Sequence, residues 1–135
     1  MLKQILPFSL IFLVLGILLL VSLNIPQTSV GPHGGIVKVA GNYNIEMKSP
    51  YGNLYTWILD YKLSPLNNKG VTCEARFYFS DNTIVDTRLK PFGEDGFTTT
   101  TANDFLSCRI TYKVAGKSVS AKFENENVIV QKKLD

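Results

Sequence analysis

A chain of 135 residues, 45% of them apolar, with 14 Lys and Arg against 11 Asp and Glu and a net charge of +3, suffices for one small domain. Its charges are interspersed, which excludes the concentrated basic face that a nucleic-acid backbone requires. The one basic doublet, Lys132-Lys133, lies in the carboxyl tail and reads as solvated surface.

From Ile5 to Ile25 no residue is charged, and the polar members are Ser9, Ser22 and Asn24. About 20 residues rising roughly 1.5 Å each span the hydrocarbon layer of a bilayer, so residues 1–26 are expected to form a transmembrane anchor. Lys3 precedes the run and the next charge is Lys38, an asymmetry that leaves the amino end in the cytoplasm and the remainder outside. A cleaved signal peptide is the other reading. The length of the run and the lack of an A-x-A-like site between Leu23 and Val30 speak against it.

Residues 27–35 are rich in Pro, Gly, Thr and Ser without apolar periodicity and read as a linker. From Ile36 onward the period is two. Tyr43, Ile45 and Met47 alternate with polar neighbours, as do Cys73, Ala75, Phe77, then Leu106, Cys108, Ile110, Tyr112, then Val119, Ala121, Phe123; each set predicts a strand with one wet face. Leu54 to Tyr61 is apolar on both sides, which predicts a central strand or one under a covering loop. Weaker strands are expected at Ile36–Ala40, Thr83–Leu89 and Phe97–Thr101. Turn residues at Asn67 to Gly70, Ser80 to Asn82 and Ala115-Gly116 punctuate these runs. Seven or eight short antiparallel strands predict an all-β, two-sheet, immunoglobulin-like sandwich over residues 36–131 with a tail at 132–135, an open barrel being the alternative.

Cys73 and Cys108 both fall on inward faces. In an exported domain they are expected to form a disulfide between strands across the core, worth roughly 3 to 4 kcal/mol for a loop of that length; two buried thiols are the alternative. No C-x-x-C spacing suggests redox or metal chemistry. The single His, His33, has no Ser or Cys in a nucleophile motif to serve, and no enzymatic activity is expected. Asp81, Asp86, Glu94 and Asp95 read as solvated turn residues. Tyr51, Tyr55 and Trp57 sit on one side of a strand and its preceding turn, either as core packing or as an exposed binding strip for sugar or protein.

His33 lies in Gly31-Pro32-His33-Gly34-Gly35, followed by Tyr43-Asn44-Ile45-Glu46 and by the aromatic strand ending in Asp60. In these motifs, between Gly31 and Phe123, the chain resembles small bacterial exported domains with a Pro-His-Gly-Gly entry that occur alone or beside heavy-metal-binding and metal-efflux adaptor modules. The resemblance implies copper or other heavy-metal handling in the envelope, with His33, Glu46 and Asp60 as the matching metal positions and copper or zinc as the candidate ion. On residue chemistry alone His33 reads as a hydrogen-bonding residue of a Gly-rich turn or as one weak ligand, since zinc requires three or four. The expectation is a binding or accessory domain in the bacterial inner membrane, single-pass, facing the periplasm, or released there if the leader is cut. Its partners are the membrane and an envelope protein. A scaffold domain contacting an envelope complex or polysaccharide, without metal, is the alternative.

Overall fold

Strict alternation of apolar and polar side chains leaves one face of each strand to be buried, and two such sheets can bury each other. The computed structural model describes residues 29–126; the expected anchor at residues 1–26 and the tail at 132–135 lie outside the described residues. Ten strands follow in order: β1 (Ser29–Val30), β2 (Ile36–Ala40), β3 (Tyr43–Lys48), β4 (Asn53–Leu59), β5 (Thr72–Tyr78), β6 (Ile84–Arg88), β7 (Lys90–Phe92), β8 (Gly96–Thr100), β9 (Ser107–Val114) and β10 (Lys117–Glu124). They form one sheet in the order β1-β2-β3-β4-β8-β7 and a second in the order β10-β9-β5-β6, here called sheets A and B. Every pairing is antiparallel.

One apolar layer joins the sheets. Ile45, Met47, Leu54, Ile58 and Phe97 of sheet A meet Cys73, Ala75, Phe77, Cys108, Ile110, Tyr112, Ala121 and Phe123 of sheet B. The faces are those that alternation predicts, except that Leu106 precedes β9 and is exposed. Within this layer the Tyr112 hydroxyl donates to Thr56 Oγ1 (3.1 Å), and Thr56 Oγ1 in turn donates to the Glu46 carbonyl (2.8 Å). Burial of the phenol pushes its ionisation well above the ordinary tyrosine range. The hairpin between β9 and β10 turns at Ala115 and Gly116, with φ of 50° and 76°, the left-handed pair that a two-residue hairpin loop requires.

Two expectations need correction. Ser29 and Val30 pair with Val37 and Ile36, so the segment expected to be a linker belongs to the fold from Ser29 onward. The expected disulfide does not form: Cys73 and Cys108 are free and buried, and they lie in the same sheet. Register sets Cys73 against Tyr112 and Cys108 against Phe77. Four residues of offset separate the cysteines by roughly 13 Å along the strands, whereas a disulfide needs Cα atoms within about 7 Å.

Burial pushes both thiols up from 9.0 to about 12. An unfolded chain releases these protons first, so stability is whole below pH 9 and falls as pH rises toward 12, with Tyr112 acting in the same direction. Thiol titration is expected to count no reactive group in the native protein and both in denaturant, without prior reduction. Denaturation midpoints are expected to fall steadily above pH 9. Thiols that appear only after reduction would restore the disulfide.

Candidate functional site

Strand β4 is buried on both faces because sheet A carries a second, smaller apolar cluster on its outer side. Val37, Trp57 and Leu59 form it, with Tyr55 and Leu63 packed against them. The register sets Glu46 between Val37 and Trp57, so its carboxylate projects from the middle of this outer face. It is nonetheless fully buried, with 0% exposure. An ionised carboxylate there needs donors, and it accepts hydrogen bonds only.

The glycine-rich segment supplies those donors. Gly31 N donates to Gly35 O (2.9 Å) and Gly34 N to Gly31 O (3.0 Å), closing residues 31–35 into a loop that folds over Glu46. Oε2 accepts from the backbone N–H of His33 (2.9 Å) and of Gly35 (2.8 Å). Oε1 lies 2.7 Å from His33 Nδ1, a contact in which an ionised carboxylate accepts and the imidazole N–H donates. The imidazole then lies flat on the Trp57 indole, with centroids 3.9 Å apart and planes 4° from parallel. This stacking closes the lid and leaves Trp57 only 6% exposed. The remaining ring nitrogen, Nε2, is 3.5 Å from Asp95 Oδ2, longer than a direct hydrogen bond.

The glycines are spatial requirements. A Cβ on Gly31 would overlap the Glu46 carboxyl carbon, and one on Gly35 would come within 2.5 Å of Met47 O and 2.9 Å of Glu46 Cγ. Gly96 faces Trp57 in the β4–β8 pairing, and a Cβ there would lie 2.8 Å from the indole Nε1.

Of the three expected metal positions, the fold unites His33 with Glu46 but not Asp60. Asp60 Oδ1 accepts from Lys62 N (2.8 Å) and Ser64 N (2.9 Å), an Asx-type turn cap three residues beyond Trp57, roughly 10 Å along the strand. Both Glu46 oxygens are already engaged, in three bonds to the loop that covers them. The set left for an ion is Nε2 and one Asp95 oxygen, two donors where zinc takes three or four. Among the described residues no three His, Cys, Asp or Glu side chains converge as ligands. The residues therefore do not fit a resident copper or zinc ion.

Of the expected aromatic strip, Trp57 is under the loop, Tyr55 is half-buried against it and Tyr51 stands alone at 91% exposure in the β3–β4 turn. Asp95 joins the site although it reads in sequence as a solvated turn residue. A carboxylate opposite Trp in a strand apolar on both sides is the signal that something must cover it. Comparison of the chain with protein-family models, with curated proteins and with solved structures finds no match.

Proposed function

We propose that this chain is a membrane-anchored, outward-facing binding domain of the bacterial envelope that holds no metal and performs no catalysis. Its Pro-His-Gly-Gly segment serves as an internal clasp. The uncharged run from Ile5 to Ile25 and the charge asymmetry around it support the anchor and the periplasmic side. An immunoglobulin-like outline for the two sheets belongs to the same proposal. The observation that carries the reading is the complete commitment of Glu46, whose two oxygens are taken by His33 N, Gly35 N and His33 Nδ1. A carboxylate so engaged fixes a loop and offers nothing to an ion.

A second reading, heavy-metal handling, is favoured by one detail. A carboxylate that accepts from Nδ1 orients the other nitrogen of an imidazole outward, as behind many metal-bound histidines, and His33 Nε2 does lie beside Asp95.

Calorimetric titration of the full chain in mild detergent with Zn(II), Cu(II) and Cu(I) separates the two. No saturable heat is expected with any ion, while His33→Ala is expected to lower the unfolding midpoint. One-site binding that disappears in His33→Ala would replace the clasp with a metal site.

A further inference from the structure

Beyond the clasp, the outer face of sheet A has an open region where the chain passes from one sheet to the other. Arg88 ends β6 at the edge of sheet B, Leu89 is buried, and Lys90 begins β7 at the edge of sheet A. Register then sets Lys90 opposite Thr98 and Thr98 opposite Tyr55, with Asn53 opposite Thr100 in the next row and Phe92 opposite Gly96. Asn53, Tyr55, Arg88, Lys90, Phe92 and Thr98 are among the residues that line a shallow cleft of about 320 Å³.

Its chemistry is specific in three respects. The Tyr55 and Phe92 rings stand 5.0 Å apart at 60°, and Phe92 keeps 48% of its surface exposed, so an aromatic corner is open to a ligand. No carboxylate among the described residues lines the cleft. Neither Arg88 nor Lys90 makes an ion pair among the described residues, whereas nearby Arg76 is held by both oxygens of Asp86 at 2.7 and 3.1 Å. Lys90, with Arg88 beside it at the end of β6, where the register also sets it opposite Glu74, together with the aromatic corner and a row of hydroxyl and amide groups, matches a ring with an apolar C–H face, equatorial hydroxyls and an anionic substituent.

We propose that this cleft binds an acidic glycan, one hexuronic acid residue of which rests its C–H face on Phe92 and Tyr55 while its carboxylate reaches Lys90 and Arg88. Asn53, Thr98 and Thr100, which share the outer face, meet the sugar hydroxyls. The inference deepens the binding-domain reading above and rests on it. A lone phosphate or sulfate would need the cations but not the aromatic corner, and a neutral sugar the corner but not the cations.

The test is a titration of the full chain, held in a polyoxyethylene detergent that carries no sugar, with tetragalacturonate, with neutral galactotetraose and with inorganic polyphosphate. Saturable binding is expected for tetragalacturonate and not for the neutral tetramer. Phe92→Ala is expected to weaken it about tenfold, and Lys90→Gln and Arg88→Gln each several-fold, with Lys117→Gln as an unaffected control. Phe92→Leu, which keeps an apolar side chain at the edge strand, checks that lost affinity is not lost folding. The inference is overturned if tetragalacturonate does not bind, if it binds unchanged to Phe92→Ala, or if polyphosphate binds as tightly with the same response to the variants. Metal binding at His33 would defeat the metal-free reading on which this inference rests, whereas absence of uronate binding defeats the inference alone, so the two failures are told apart.

Discussion

Replacing Glu46 by Leu is expected to destabilise the domain by about 3 to 5 kcal/mol, the largest loss from any single change at the clasp. Leu fills the space but accepts nothing, so the N–H groups of His33 and Gly35 and the imidazole Nδ1 together lose the acceptor they share. In a domain of this size each kcal/mol shifts the melting midpoint by about 4 to 8 °C, so the drop exceeds 10 °C. Glu46→Gln is expected to recover more than half of the loss. Its amide oxygen can serve both backbone donors, and its N–H₂ can donate to Nδ1 once the imidazole takes its other tautomer. Urea denaturation of the three proteins measures this series. A Leu variant within about 1 kcal/mol of the parent would show that the carboxylate does not organise the loop.

Gly35→Ala is expected to cost about 2 to 3 kcal/mol and to lift the loop. The added methyl meets Met47 O at 2.5 Å, and that carbonyl belongs to β3, which is paired on both sides and has no room to retreat. As the loop lifts, His33 leaves the face of Trp57. Because the chain has a single Trp, its fluorescence reports this directly, and the emission maximum is expected to move to longer wavelength. Gly34→Ala is the comparison. Gly34 has φ of +79° but only Lys48 Nζ, at 3.9 Å, near its would-be Cβ, so it bears the left-handed backbone cost of about 1 kcal/mol and no overlap. Equal effects at the two positions would mean that backbone conformation, not contact with β3, governs the loop.

Period-two alternation made β3, β5, β9 and β10 legible, β2, β6 and β8 lie where weaker strands were expected, and the two-sided hydrophobicity of Leu54 to Tyr61 called for a central strand or one under a covering loop, both of which hold for β4. Strands β1 and β7 were not legible: two or three residues display no period, and Pro91 sits where only an edge strand tolerates it. Alternation also gave the correct face for both cysteines, yet a bond depends on register, which comes from pairing partners and not from either strand alone. The same holds for Glu46, whose outward direction was readable while its burial was not. Burial follows from a loop that returns over it, and the trace of that loop in the sequence is the bareness of Gly31, Gly34 and Gly35 around His33. Asp60 entered through motif likeness, and its position after the aromatic strand fits a turn cap equally well.

The hydroxyl pair at Tyr112 and Thr56 has a consequence for how the two layers sit on one another. Greasy surfaces attract without direction, so sheets joined by them alone can settle in several lateral offsets of similar energy. A phenol and a threonine meeting at 3.1 Å inside that layer act as a dowel: any slide of one sheet over the other strands two polar atoms in oil. Because Thr56 also holds the carbonyl of Glu46, the same dowel keys the outer clasp to the far sheet, giving the molecule one alignment from front to back.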